Sequence, residues 1–358
     1  KCVLITYFFC YNKNGELEVK KMRNIYDLTI KELEDYFISI NEKKFRAVQV
    51  YEALYKRRVT SFDDMTNISK EVREKLKQDF SFYKIKMLVK QQGKNVNKYL
   101  FELEDGNKIE SVLMFHDYGT SICVSSQVGC NMTCAFCESG RLKKVRNLLA
   151  YEIVQQILQI EEDINKRITH VVLMGIGEPF DNYDNVLRFV KIINCGKGID
   201  IGSRHITIST CGVIPGIKKF MNEEGQVNLA ISLHAPNNTI RSRIMPINKA
   251  YPLNELMETI KEYINKTNRR VTFEYIMLDN INDSEENAKE LAALLKGINC
   301  YVNLIPYNET ENIEFKRTKE WKIMKFYDIL KKNKINVTIR KEFGGSVDAA
   351  CGQLRANN

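Results

Sequence analysis

The sequence predicts an α/β protein organised on a parallel sheet, most simply a full or partial barrel, preceded by a helical segment and a β-hairpin. Three observations carry this prediction. Beyond Thr120, short apolar runs alternate with longer runs of helical periodicity, the signature of repeated βα units. No antiparallel signal interrupts that alternation, so the strands are expected to run parallel. The conspicuous polar stretches follow strand ends: a cysteine cluster after "SICVSS", "GIGEP" after "VVLM" and "SLHAP" after "VNLAI". Barrel folds keep their chemistry at that C-terminal mouth.

The elements follow in order. Residues 1–21 carry a short apolar patch, Val3 to Cys10, without a longer basic lead-in or an A-x-A-like cleavage site. They do not read as a signal peptide and are expected to lie outside the working fold. Residues 22–82 read as a helical accessory domain. "LTIKELEDYF" opens with Thr29 and, three residues later, Glu32, a capping box ahead of apolar positions at helical spacing. "FRAVQVYEALYKR" and "SKEVREKLKQDF" predict two more helices. Residues 83–118 hold the hairpin "KYLFELEDGNKIESVLMF", two alternating runs around Asp105-Gly106. The barrel is assigned to residues 119–345. Its strands are "SICVSS", "THVVLM", "RHITIS", "VNLAISLH", "RVTFEYIM" and "YVNLIP", with "NVTIRKEF" as a further candidate. Between them lie the helical runs "AYEIVQQILQIEEDI", "NVLRFVKIIN", "LNELMETIKEYIN" and "SEENAKELAALLK". Residues 346–358 form a C-terminal tail.

Composition narrows the class. The chain has 358 residues and a net charge of +9, which suits a polyanionic partner such as RNA and equally reflects a Lys-, Asn- and Ile-rich composition. No apolar run approaches the roughly 18 residues a membrane helix needs, so no membrane partner is expected. Ten cysteines are too sparse for a disulfide scaffold; without an export signal a reducing cytoplasm is the default, where clustered thiols indicate metal or redox chemistry.

Cys130, Cys134 and Cys137 stand in a C-x3-C-x2-C pattern. Structural zinc takes about four N/S ligands, usually as two pairs, and the second pair is missing. None of His116, His170, His205 and His234 has a partner at ligand spacing. Inert buried thiols are the plainer alternative, but three within eight residues of a Gly-containing loop make coincidence poor. A four-iron cluster fits better, because three thiolates hold three irons and leave one open to react.

With Phe136 before the last cysteine, the pattern resembles the radical S-adenosylmethionine (SAM) enzymes. In that superfamily the open iron binds the amino and carboxylate groups of the cofactor, which is then cleaved to a 5′-deoxyadenosyl radical. "ICVSSQVGCNMTCAFC", "RNL", "MGIGEPFDN", "SLHAPN", "MPIN", "VNLIPYN" and "DAACGQL" together resemble the RlmN family of RNA adenine C2-methyltransferases, from about Met22 to Leu354. "GEP" favours it over the Cfr type, which methylates C8. Glu138 departs from the family, which more commonly has a small residue there. The resemblance implies a partial (β/α)6 radical SAM barrel, a [4Fe-4S] cluster on Cys130, Cys134 and Cys137, and two SAM molecules per turnover.

It also implies roles residue by residue. Cys351 would be methylated by one cofactor and then, as a methylene radical, attack adenine C2. Cys123 would resolve the resulting adduct by forming a disulfide with Cys351, and Glu110 would accept the C2 proton. Gly177, Glu178, Ser209, Ser232, Leu233, His234 and Asn308 would contact the cofactor. Without the resemblance, Cys351 and Cys123 read as buried structural thiols, Glu110 as a strand's surface acid and His234 as a core histidine. Gly175 and Gly177 permit close backbone approach, and Glu178 offers a carboxylate to an ammonium group. The expected partners are 23S rRNA, tRNA and an electron donor such as flavodoxin or ferredoxin, with the enzyme a monomer. "RLKKVR" (141–146) and "KRTK" (316–319) are candidate phosphate contacts, although such runs are more often solvated charge. The target base is expected unpaired or flipped. The alternatives are a Cfr-type C8 methyltransferase and, from another class, a non-catalytic zinc-stapled RNA-binding protein.

Overall fold

A computed structural model describes residues 7–11, 17–310, 312–340 and 352–354, with side chains from Met22 onward. Tyr7–Tyr11 and Leu17–Lys21 pair as an antiparallel ribbon. Three helices follow: α1 (Ile30–Ser39), α2 (Arg46–Tyr55) and α3 (Lys70–Asp79). The expected capping box starts α1: the Glu32 N–H donates to Thr29 Oγ1, and the Thr29 N–H donates to Glu32 Oε2 at 2.9 Å.

A single ten-stranded sheet organises the rest, its strands adjacent in sequence order. Its first three strands are β1 (Lys86–Gln92), β2 (Val96–Glu102) and β3 (Lys108–His116). The predicted hairpin is β2–β3, with Phe101 opposite Ile109 and Gly106 at φ +81° in the turn. It is not an appendage. β1 adds a third antiparallel strand, and β3 pairs antiparallel with β4 (Gly119–Cys123), so the meander extends the barrel sheet. β1 is mostly exposed, which is why its sequence lacks the alternation that marked the other two.

From β4 onward the sheet is parallel: β5 (His170–Leu173), β6 (Ile206–Thr210), β7 (Asn228–Ser232), β8 (Val271–Met277), β9 (Cys300–Pro306) and β10 (Val337–Ile339). Helices α4 (Ala150–Ile164), α5 (Tyr183–Asn194), α6 (Ile214–Phe220), α7 (Asn238–Ile244), α8 (Leu253–Thr267), α9 (Glu285–Leu295) and α10 (Glu320–Lys332) connect them. Among the described residues no pairing joins β10 to β1, so the barrel is open. The periodicity did not single out α6, α7 or α10. The first two have seven residues each, and α10 exposes Trp321 and Met324 among its buried positions, blurring the stripe.

Strand alternation separates two faces. Ile122, Val171, Ile208, Leu229, Phe273 and Leu304 point outward into the core beneath the helices. Ser121, Thr207, Thr272, Asn303 and Thr338 point inward around a cavity. A closed barrel would fill that space with branched apolar side chains; this one keeps a polar interior.

The helical segment shares the main core. Arg188 of α5 reaches Glu32 at 2.6 Å, Tyr151 N–H of α4 donates to Asp27 at 3.2 Å, and Arg58 pairs with Glu161. These contacts fix the segment against the outer helices. No helix among the described residues is long and apolar enough to cross a membrane.

Candidate active site

The loop that leaves β4 is closed at its base by pairing of Gln127–Val128 with Arg146–Asn147. Inside it the chain is tightly wound. The N–H of Cys130 donates to Leu142 O at 3.0 Å, and that of Cys137 donates to Cys134 O at 3.1 Å. Gly129 has φ +74°, and a Cβ there would lie 2.1 Å from Lys143 O, so only glycine fits. This winding turns Cys130, Cys134 and Cys137 toward one pocket at the barrel's C-terminal mouth, about 840 Å³ counting its opening.

The donor set fits an iron–sulfur cluster. Burial pushes the Cys130 thiol up to about 12 and raises Cys134 well above its ordinary range, with Cys137 and Glu178 adding to both. Thiols in such a place ionise when cationic metal replaces their protons. Among the described residues no three His, Cys, Asp or Glu side chains are arranged to hold a single metal ion. Thiols spread around a pocket suit a polynuclear cluster with one iron per sulfur better than a tetrahedral zinc. Three histidines do meet elsewhere, at the foot of the barrel, but as rings: His170 stacks on His205 at 4.4 Å, and Tyr118 joins His116 to His170.

The Gly-x-Gly-Glu segment after β5 forms the opposite wall. A Cβ on Gly175 would lie 2.7 Å from the Val124 carbonyl, and one on Gly177, at φ +109°, would lie 2.6 Å from Gln127 Cβ. Both glycines are therefore required by the backbone that feeds the cysteine loop. Glu178 is buried, which raises its pKa, and its two oxygens accept the N–H groups of Phe180 (3.0 Å) and Cys211 (2.8 Å). Its carboxylate staples the ends of β5 and β6 at the pocket's edge.

Ser209, Ser232 and His234 also line the pocket. His234 sits at φ +57°, accepts the Ile276 N–H through Nδ1 at 3.0 Å, and packs edge-on to Phe136. Burial, and then Arg241, push its pKa down to about 3, so the ring stays neutral. Leu233 is fully buried in the main core, and Asn308, on the loop after β9, is not among the residues lining the pocket.

Glu110 and Cys123 lie outside this pocket, on the neighbouring inner face of β3 and β4. Val112 is opposite Cys123, and Glu110 stands two residues from Val112 on the same face. Lys98 Nζ lies 3.3 Å from the Glu110 carboxylate, which is buried, while Lys98 is partly exposed. Cys351 is outside the described residues, but those that follow it bridge the two regions. Gly352 lines the pocket and accepts the Glu138 N–H at 2.7 Å, while Leu354 packs with Cys123, Val112 and Ile176. Among the described residues no two cysteines form a disulfide. The Glu138 carboxylate is turned away toward Asn312 Nδ2 at 3.4 Å and Arg141 at 3.9 Å.

Three residues in or behind the pocket wall were missed in the sequence: Cys211 and Glu274 line it, and Arg241 supports it. Arg241, fully buried, donates to the carbonyls of Leu233 (3.2 Å) and Cys211 (2.6 Å) and fixes the turns after β6 and β7. In "TIRSRI" it reads as surface charge. Cys211 gave no signal as a lone cysteine. Glu274 could have been found, since Thr272 and Glu274 are the polar positions alternating with Val271, Phe273 and Tyr275. The basic run 141–146 is largely committed within the protein. Arg146 pairs with Glu152 and Asp105, Lys144 with Asp181, and Arg141 donates to Asn312 O.

Residues 23–81 match the family described as the ribosomal RNA large subunit methyltransferase N-terminal domain, and residues 124–292 match the radical SAM superfamily. A "Probable dual-specificity RNA methyltransferase RlmN" of Spiroplasma citri is 54% identical over 94% of this chain and 98% of its own. Its namesake in Enterococcus faecalis is 54% identical over 93% and 96%. The crystal structure of a radical SAM methyltransferase from Sphaerobacter thermophilus superposes with a TM-score of 0.89 at 40% identity, covering 94% of this chain and all of that one. Cysteine loop, open barrel and near-complete alignment lead to one conclusion: the chain belongs to the RlmN family of radical SAM dual-specificity RNA methyltransferases.

Proposed function

We infer that this chain is an enzyme that methylates the C2 carbon of a specific adenosine in RNA, acting on 23S rRNA and on tRNA. The observation that carries this is the convergence of all three cysteine-motif thiols on one pocket at the mouth of a barrel shared with RlmN relatives. When bound, the cluster on Cys130, Cys134 and Cys137 and the SAM beside it supply one-electron chemistry and the methyl carbon.

The protein's own residues supply the rest. Adenine C2 is electron-poor and the cofactor's methyl is an electrophile, so a thiolate that takes the carbon first resolves the mismatch. Cys351 is assigned that role; its neighbour Gly352 lies in the pocket wall. Glu110 accepts the C2 proton, its carboxylate held by Lys98. Cys123, as a thiolate, attacks the Cys351 sulfur as the carbon–sulfur bond breaks; the electrons of that bond pass to the product carbon, which takes up a proton to become the methyl group, and a disulfide forms. Gly177, Glu178, Ser209, Ser232 and His234 shape the cofactor pocket, with Leu233 and Asn308 contributing at its margins. The helical segment 22–82 grips folded RNA, a flavodoxin or ferredoxin delivers electrons, and the enzyme works as a cytoplasmic monomer.

The test is the Cys351→Ala variant, reconstituted anaerobically and given RNA, reductant and labelled SAM. It should cleave the cofactor but transfer no label to RNA; full methylation would remove Cys351 from the chemistry. Metal analysis of the same preparation should find iron, whereas stoichiometric zinc without iron would refute the radical reading.

A further inference from the structure

The cluster assigned to Cys130, Cys134 and Cys137 must receive an electron from outside the pocket each time it cleaves a cofactor molecule. That electron has to enter where the cluster ligands lie nearest to solvent. The cysteine loop offers such a place. Cys134 faces the pocket, while its neighbours Thr133 and Ala135 are exposed on the loop's outer side. A single thickness of backbone therefore separates the ligand thiol from solvent.

Two flanking segments widen this surface. On one side, Asn131 Oδ1 accepts the Lys144 N–H at 3.1 Å, which sets Lys143 and Val145 beside the loop. Val145 is 63% exposed. On the other side, the Ala135 N–H donates to Ile244 O at 2.9 Å and fastens α7 to the loop. Ile240 and Ile247 pack in one apolar cluster with Cys134 and Cys137, which anchors α7 and the turn after it beside the ligands. Arg243 lies on α7 and Lys249 on that turn.

The charges of this surface differ from those around it. Lys144 pairs with Asp181, and Arg146 with Glu152 and Asp105. Lys143, Arg243 and Lys249 are exposed and have no ion-pair or hydrogen-bond partner among the described residues. The carboxylate of Glu138 is buried and turned toward Asn312, so it does not neutralise them. Unpaired cations around an exposed apolar residue suit a transient complex with an acidic protein, since opposite charge steers and orients the encounter. Electron-transfer complexes are of this small, charge-guided kind, often below about 1,200 Å². RNA is the other polyanion, but its base has to reach Glu110 and Cys123 on the inner face of β3 and β4, whereas this surface faces outward.

We propose that the outer side of the cysteine loop, bordered by Lys143, Val145, Arg243 and Lys249, is the docking surface for an acidic one-electron carrier protein. The docked carrier gives one electron through the loop to the cluster and leaves oxidised by one electron; no bond forms or breaks. Such docking rests on the cluster reading of the pocket given above, and adds to it the partner's charge and place.

The test compares the wild-type protein with Arg243→Glu/Lys249→Glu, both cluster-loaded, with flavodoxin as the acidic carrier. Binding is read by surface plasmon resonance at low and high salt, and cluster reduction by electron paramagnetic resonance. The double variant should bind flavodoxin about tenfold more weakly and with a shallower salt dependence. Reduced flavodoxin should reduce its cluster more slowly, whereas dithionite, which needs no docking, should reduce it as it does the wild type. Lys143→Glu, at the opposite border, should also weaken flavodoxin binding, with RNA affinity unchanged in both variants. No flavodoxin binding by the wild-type protein, or equal affinity in the double variant, would overturn the proposal. Weakened RNA binding with carrier binding intact would overturn it too. Reconstituted wild-type protein that takes up no iron would overturn the cluster reading itself, and the docking surface with it.

Discussion

At the residue scale, the site is held by groups that do no chemistry. Gly175 has no room for a side chain because the Val124 carbonyl is 2.7 Å from where its Cβ would be. Gly175→Ala should cost about 1–3 kcal/mol in denaturant unfolding, and it should lower bound iron by displacing the strand that leads into the cysteine loop. Arg241 supplies donors to the carbonyls of Cys211 and Leu233 and to the side chain of Asn248. Arg241→Met leaves those buried acceptors unmet and should destabilise by about 3 kcal/mol, read by the same unfolding curves. Replacing Cys130, Cys134 or Cys137 with Ala should bring bound iron to background while far-UV circular dichroism is retained, because the loop's own backbone bonds persist.

At the scale of elements, the helical segment and the barrel are joined through charge as well as apolar contact. Burial alone would raise the Glu32 carboxyl, but Arg188, Thr29 and Arg23 together hold it at about 2, against an ordinary value of 4.5. The folded state therefore binds this proton more weakly than the unfolded state. The stabilisation is fully present above about pH 4.5 and is lost as pH falls toward 2. Glu32 is about one-third exposed, so solvent screening keeps the effect modest. Unfolding midpoints of the wild-type protein should fall more steeply across that window than those of Glu32→Gln; parallel curves would show that the pair contributes nothing. The helices of this segment were legible because each carries its own start signal or stripe, as Thr29 and Glu32 do for α1. β1 and α10 were not, because one is largely exposed and the other breaks its stripe with Trp321. Their placement comes from neighbours rather than local pattern.

At the scale of the whole molecule, the parallel sheet and its active end could be read from the sequence, since short apolar runs alternate with helical ones and the conspicuous polar stretches follow the strand ends. The cysteine loop was equally plain, because its ligands are contiguous. Cys211 and Arg241 were obscure because they come to the pocket wall from separate elements, and no local spacing records that meeting, whereas the alternation of β8 did mark Glu274. The tail behaves likewise: Gly352 and Leu354 touch the cysteine loop and the Cys123 face across more than 200 residues of chain. Cluster loop, cofactor pocket and carrier tail thus converge only in the folded barrel, and the account stands or falls on what they make together. The most direct measurement is mass spectrometry of nucleosides from rRNA and tRNA incubated with the reconstituted enzyme, reductant and labelled SAM. The account predicts label in 2-methyladenosine; label only in 8-methyladenosine, or none in RNA despite a loaded cluster, would contradict it.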